Sequence, residues 1–272
     1  MASSAEIEIE VVVLGSGTSV GVPMIGCHCP VCNSADTRDH RLRPSLLIRF
    51  GGFEVLVDTG PDLRQQALRA GMRRLDAVFY THSHADHILG VDDIRPFNFI
   101  SRQSIPIYGS PETLDCIRRT FSYAFDGKPS QSSRPKLEPQ LLDGKPIDVH
   151  GLHFQPIPVV HGNLACHGFR FGNIAYLTDF SSIPENSLCM LRNLDIVFLD
   201  ALRHKPHPMH STVEESLRLV ELLHPRQAYF THISHDLPHS STEETLPPHV
   251  HLAYDGLTLR SPWKLAGAEG AG

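Results

Sequence analysis

A chain of 272 residues with a formal net charge of −6 is long enough to bury a large core, and its overall sign is wrong for a protein that wraps a nucleic-acid backbone. Hydrophobic residues at 41% and charged residues at 20% are ordinary for a globular protein, and no apolar run has the length of a membrane span. The opening MASSAEIEIE has neither the basic start and apolar centre of an export signal nor the arginines of a transit peptide, so a cytoplasmic protein with no membrane partner is expected.

In chain order, Ile7 to Leu14 reads as a buried strand that runs out at Gly15-Ser16-Gly17. Ser45 to Phe50 and Phe53 to Val57 read as a hairpin around Gly51-Gly52, closing on Asp58-Thr59-Gly60. Leu63 to Ala70 has helical spacing and stops at Gly71. Leu75 to Tyr80 is another apolar strand, delivering the chain to Thr81. The stretch from Gly127 to Pro146, rich in Pro, Ser, Gln and Lys, reads as a surface loop. Four later strands each end at a metal-ligating residue type: Phe154 to Val160 at His161, Ile174 to Thr178 at Asp179, Ile196 to Leu199 at Asp200, and Gln227 to Thr231 at His232. Between the last two, Val213 to Leu223 has the apolar spacing of a helix laid on a sheet. Strands and helices interleave without a linker. One α/β domain over residues 1–266 is expected, with a disordered tail at 267–272.

The chain holds 18 histidines, so their placement has to separate ligands from solvated surface. Thr81-His82-Ser83-His84-Ala85-Asp86-His87 follows a buried strand directly. In an extended backbone His82 and His84 project to one side and can share a metal; a turn into helix then carries Asp86 and His87 to a neighbouring position. Imidazole and carboxylate suit Zn²⁺ or Mn²⁺. One histidine alone would be read as a polar loop residue; four ligand types in this order argue against that. His-x-His-x-Asp-His after a strand resembles the motif of the metallo-β-lactamase superfamily. The resemblance runs from Gly15 to about Asp255. It implies a four-layer αββα sandwich and two divalent metal ions: His82, His84 and His161 on the first, Asp86, His87 and His232 on the second, and Asp179 bridging them.

Cys27-His28-Cys29-Pro30-Val31-Cys32 packs three thiols into six positions. Without an export signal such clustering favours metal over disulfides, and three thiolates hold one tetrahedral Zn²⁺ if a fourth ligand arrives from elsewhere. With Gly15-Ser16-Gly17-Thr18-Ser19-Val20-Gly21-Val22-Pro23, the run resembles PhnP-type phosphodiesterases, which open cyclic ribose phosphates. That resemblance implies His235, three residues beyond His232, as the fourth ligand of a structural zinc. His28, His40 and His239 are read as solvated loop residues. The cysteine run is also similar to the coenzyme PQQ protein PqqB. A degraded active-site set would be expected there, whereas this chain keeps all seven superfamily ligands.

His210-Ser211-Thr212, shortly after Asp200-Ala201, resembles the histidine segment of ribonuclease Z and PhnP-type enzymes. A proton for a leaving alkoxide is needed in phosphodiester cleavage, and histidine supplies one near neutrality. The expectation is therefore a binuclear hydrolase of small cyclic phosphodiesters, such as ribosyl 1,2-cyclic phosphate or 2′,3′-cyclic nucleotides. His210 and Asp86 would be its catalytic residues, with Thr18 and Ser19 lining the pocket and His204 and His207 as polar surface. A ribonuclease Z-like activity on RNA and a non-catalytic PqqB-like accessory role are the alternatives. A thiolester or lactam hydrolase would leave the cysteine run and His210 unexplained. No extended nucleic-acid footprint is expected, since the only arginine cluster is Arg38, Arg41 and Arg43. A homodimer is left open.

Overall fold

The computed structural model describes residues 6–128 and 131–264. The tail expected at 267–272 lies outside them. Two seven-stranded sheets stack face to face. The first contains β1 (Glu6–Gly15), β2 (Ser45–Phe50), β3 (Phe53–Val57), β4 (Ala77–Phe79), β5 (Ile105–Gly109), β6 (Leu137–Leu141) and β14 (Thr258–Lys264), in the order β14-β1-β2-β3-β4-β5-β6. The second contains β7 (Ile147–Val149), β8 (Leu152–His161), β9 (Leu164–Phe171), β10 (Ile174–Leu177), β11 (Ile196–Asp200), β12 (Gln227–Thr231) and β13 (Val250–Leu252), in the order β13-β12-β11-β10-β9-β8-β7.

Three apolar layers hold the sandwich. Between the sheets, alternate residues of each strand meet: Ile9, Val11 and Val13 from β1, and Val55 and Val57 from β3, face Phe154, Phe169 and Tyr176. The Phe79 and Phe154 rings stack at 4.5 Å across this interface. Each such fully buried side chain stabilises the fold by about 1.5–3 kcal/mol. The outer face of the first sheet packs against α1 (Leu63–Arg69), α3 (Arg95–Ser101) and α4 (Pro111–Thr120), through Leu63, Phe97, Leu114 and Ile117. The outer face of the second packs against α5 (Val213–Leu223), through Val213, Leu217 and Val220. The four layers match the αββα expectation. No helix among the described residues is long and apolar enough to cross a membrane.

The region from 127 to 146 is not all loop: β6 pairs in parallel with β5, Pro139 opposite Ile107. Its LEPQL sequence lacks an apolar run because it is an edge strand, and an edge tolerates a proline with no donor. The functional consequence of the topology lies in strand direction. β3 through β6 run parallel, as do β10 through β13. Their C-terminal ends release Asp58, His82, Asp179, Asp200 and His232 at one edge of the sandwich.

Candidate metal centre

After β4 the chain stays extended through His84 (φ −63°, ψ 153°) and then turns into the short helix α2 (Ala85–Ile88), which buries Asp86 and His87. His161 ends β8, and Asp179 and His232 follow β10 and β12. Asp179 (φ +54°) and His232 (φ +58°) sit in the left-handed region that non-glycine residues rarely enter. Asp58, at the end of β3, does the same at φ +62°. Strain of this kind collects where side chains must be aimed.

Two donor sets of the expected ligands result, each with its ligand atoms within 4.8 Å of one another: His82, His84, His161 and Asp179, and beside it Asp86, His87, Asp179 and His232; a third grouping, Asp179, Asp200, His210 and His232, overlaps them. Asp179 belongs to all three. Its Oδ2 is 3.7 Å from His82 Nε2 and 3.3 Å from His87 Nε2, while its Oδ1 is 3.2 Å from His232 Nε2. Asp86 Oδ2 is 3.2 Å from His87 Nε2. A tetrahedron of ~2.0–2.1 Å metal–ligand bonds has edges of roughly 3.4 Å, so these spacings suit ligands around a cation. Asp86 Oδ2, His87 Nε2 and His232 Nε2 are buried and have no hydrogen-bond partner among the described residues. Such orphans are costly unless something else satisfies them. The donor chemistry and the orphaned atoms both fit divalent metal ions.

The electrostatics are those of carboxylates and imidazoles crowded together. Burial opposes ionisation of Asp179, yet His232 and His87 beside it hold its carboxyl well below the usual range. Burial alone would lower His232, but Asp179 and Asp86 push it up to about 9. His161, where burial prevails, falls to about 4, so its ring is neutral and able to ligate.

Surrounding groups fix the rings. Asp58 accepts hydrogen bonds from Thr81 N and Oγ1, both at 2.8 Å, and from His87 Nδ1 at 2.7 Å. The Nδ1–H of His161 donates to Met209 O at 2.9 Å. Each bond uses one ring nitrogen and leaves Nε2 for the centre, the usual way a ligand tautomer is set. His210 stands beside both sets, its ring 4.7 Å from His232 and 5.0 Å from His161. Its Nδ1–H donates to Asp200 Oδ2 at 2.8 Å, and Asp200 also accepts from Phe180 N. Burial pushes the Asp200 carboxyl up, with His210 opposing. Asp58 and Asp200 were visible in the sequence only as strand ends. The signal that could have found their role is the one that marked Asp179, an acid immediately past a buried strand.

The cysteine loop forms a separate donor set. Cys27, Cys29 and Cys32 Sγ lie 3.2, 3.5 and 3.4 Å from His235 Nδ1, and all three are free thiols. The backbone N–H of Cys32 lowers the Cys29 thiol to about 7. The loop is tied to the segment after His232 by Asp39, which accepts from His239 N, and by Arg41, whose guanidinium reaches Ser16, His239 and Ala253 O. His239 is therefore buried, correcting its reading as a solvated residue; Arg41 at 1% exposure covers the charge that the sequence placed in a basic cluster. His28 and His40 are exposed, and His204 pairs with Glu214 at 2.6 Å on the surface. The glycine-rich loop lies next to the second donor set, Thr18 N donating to Ile233 O; Thr18 is buried and Ser19 exposed.

A family profile described as the beta-lactamase superfamily domain matches residues 54–233. The crystal structure of a diphosphatase of the PhnP family superposes with a TM-score of 0.91 at 48% identity, covering 96% of this chain and 100% of that one. An octanoyltransferase from Porphyromonas gingivalis is 39% identical over 249 residues, 90% of this chain but 50% of its own length. A ribonuclease Z from Bradyrhizobium diazoefficiens is 34% identical over 161 residues, 57% of this chain and 48% of its own. The chain thus spans about half the length of the curated relatives it matches. With the sandwich fold, the profile match and the near-complete superposition together, the chain belongs to the metallo-β-lactamase superfamily and, within it, to the PhnP family.

Proposed function

We propose that this chain is a binuclear metal-dependent phosphodiesterase acting on small cyclic phosphate esters, such as 2′,3′-cyclic nucleotides. The observation that carries this reading is the Asp200–His210 pair set beside two candidate ligand histidines. His82, His84, His161 and Asp179 would hold one cation, and Asp86, His87, Asp179 and His232 the other. Bound together, two divalent cations lower the pKa of water and offset charge on phosphoryl oxygens. The protein residues do the rest. Asp58 and Met209 O keep ligand rings in place, and Asp86 orients the attacking water. Asp200 holds His210 so that Nε2 is its free nitrogen, and a proton held there passes to the leaving oxygen as the P–O bond breaks. Thr18 and Ser19 line the pocket from the glycine-rich loop. Cys27, Cys29, Cys32 and His235 hold one structural zinc.

The 48% identity to a PhnP-family diphosphatase favours one further reading, hydrolysis of a diphosphate by the same residues. Metal-loaded protein assayed on 2′,3′-cyclic AMP, ADP and precursor tRNA separates these from a ribonuclease Z activity: cyclic nucleotide turnover is expected, and 3′ processing of precursor tRNA alone would overturn the proposal. The acid is tested with leaving groups. A ribose alkoxide needs a proton and a nitrophenolate does not, and general acid catalysis is typically worth about 10²–10⁴-fold. His210→Ala should slow 2′,3′-cyclic AMP hydrolysis by roughly that factor and bis(p-nitrophenyl) phosphate hydrolysis far less. Equal losses would make His210 a binding group.

A further inference from the structure

At the end of the sandwich away from the donor sets, part of the outer face of the second sheet is left uncovered. Leu191, Val213 and Val220 cluster with Ile157, Cys166 and Leu177 on that face. The cover stops short of His153 and Gln155 on β8 and Arg170 on β9, which is paired with Gln155. His153 is exposed, and Gln155 and Arg170 are half-buried. With Lys145, Gly172 and Trp263 they line a cleft of about 510 Å³, inside the ~300–1,000 Å³ range of small-molecule sites.

Arg170 brings a partly desolvated charge to this cleft. Its Nε donates to Gly172 O at 3.1 Å, and its Nη1 to Met190 O at 2.6 Å and Arg192 O at 3.0 Å. These carbonyls answer hydrogen bonds but not the charge: burial lowers the Arg170 pKa, and no carboxylate opposes the shift. Its Nη2 has no partner among the described residues. Lys145 and His153 are tied only by exposed pairs, to Asp143 at 3.3 Å and Asp148 at 3.4 Å, which a ligand displaces at little cost. Gln155 spends its amide nitrogen on Gly144 O and Pro156 O and keeps Oε1 as an acceptor. The apolar wall is Trp263, the only tryptophan in the chain, half-buried against Gly172. Gly172 (φ +57°) makes the room, since a Cβ there would stand 3.1 Å from Trp263 Cδ2. A cation short of counter-charge, an amide acceptor and a half-open indole together suit a flat ring that carries an anion.

We propose that this cleft is a second ligand site, for a mononucleotide. The base rests on Trp263 and offers an amino group to Gln155 Oε1, and the phosphate binds Arg170 Nη2 and Lys145. The site is separate from the donor sets. Trp263 pairs with Ile7 at the start of β1, whereas Ser16, just past its end, meets Ile233 beside His232. The length of strand between them puts the indole roughly 25 Å from the edge that carries the donor sets.

Because Trp263 is the only tryptophan, its fluorescence reads the cleft directly. AMP titrated into metal-loaded protein should change the emission, with adenosine binding about tenfold more weakly, the scale of one hydrogen bond to a charged group. Arg170→Gln should weaken AMP by about that factor and leave adenosine unchanged. Arg170 also holds the 190–192 carbonyls, so circular dichroism should accompany this variant. Lys145→Ala combined with His153→Ala alters exposed side chains alone and should weaken AMP severalfold; it decides the matter if Arg170→Gln does not fold. No emission change with AMP at millimolar concentration would overturn the proposal. So would equal affinity for AMP and adenosine, or AMP affinity at the wild-type value in the variants that fold. A signal lost in His84→Ala but kept in Arg170→Gln would report the metal centre instead and overturn it too.

Discussion

At the scale of single residues, the proposed centre depends on a carboxylate outside the proposed ligand sets. Asp200 is fully buried and accepts from both His210 Nδ1 and Phe180 N. Asparagine in its place keeps the volume but offers one acceptor oxygen and sets an amide N–H against the ring. Asp200→Asn should lower kcat on 2′,3′-cyclic AMP by roughly 10–100-fold, with KM and metal content close to wild type. His239 gives a pH signature instead. Burial and then Arg41 depress its pKa to about 4, against an ordinary 6.5. Between these values the unfolded chain takes up the proton and the folded chain does not, so this part of the stability is complete above 6.5 and is lost as pH falls towards 4. His239→Asn, compared with wild type by urea unfolding at a series of pH values, should show a shallower decline across that window.

At the scale of elements, α2 is placed by backbone contact. Thr59 N donates to His87 O and Gly90 N donates to Thr59 O, both at 2.8 Å. The approach needs glycine: a Cβ on Gly60 would stand 2.3 Å from Asp86 O, and one on Gly90 2.2 Å from Gly60 O. Gly60→Ala must push α2 away, carrying Asp86 and His87 with it. A displacement on the order of 1 Å costs about 10²-fold in rate, so kcat should drop by that order while the protein still folds, as circular dichroism and metal analysis would show. The elements also show what was legible in the sequence. The His82 to His87 motif was readable because a strand and a helix impose different side-chain directions within six residues. The strands ending at His161, Asp179 and His232 were readable because each is an apolar run meeting a polar stop. β6 was not, since Pro139 and Glu138 at a sheet edge give no apolar period, and neither was the packing of Gly60 on Asp86, which depends on contacts distant in sequence.

At the scale of the whole molecule, the cysteine loop and the edge that carries the donor sets are one structure. The loop meets His235 through three thiols, and it is bound to the segment after His232 again by Asp39 and Arg41. The burial of Arg41 and His239 could not be read from sequence, because what covers them comes from both ends of the chain. Cys29→Ser should cost one zinc per chain by elemental analysis and several degrees in Tm, since binding at such a site is coupled to folding. Activity should fall only in part. Zinc content and Tm both at wild-type values would leave the thiols without that role.

The division of the donor sets between the two sheets has a consequence for how the chain reaches its native state. His82, His84, Asp86 and His87 follow a strand of the first sheet, whereas His161, Asp179 and His232 follow strands of the second. Neither sheet alone holds more than part of either set, and Asp179 completes the first set only when the two have docked. Contacts so distant along the chain form slowly, because loop closure precedes any gain from them. A chain emerging from the ribosome therefore exposes four clustered candidate ligand side chains well before their partners exist, and a cation captured then would be held by an incomplete shell. On the proposed ligand sets, a full shell for a cation exists only after the sheets have closed.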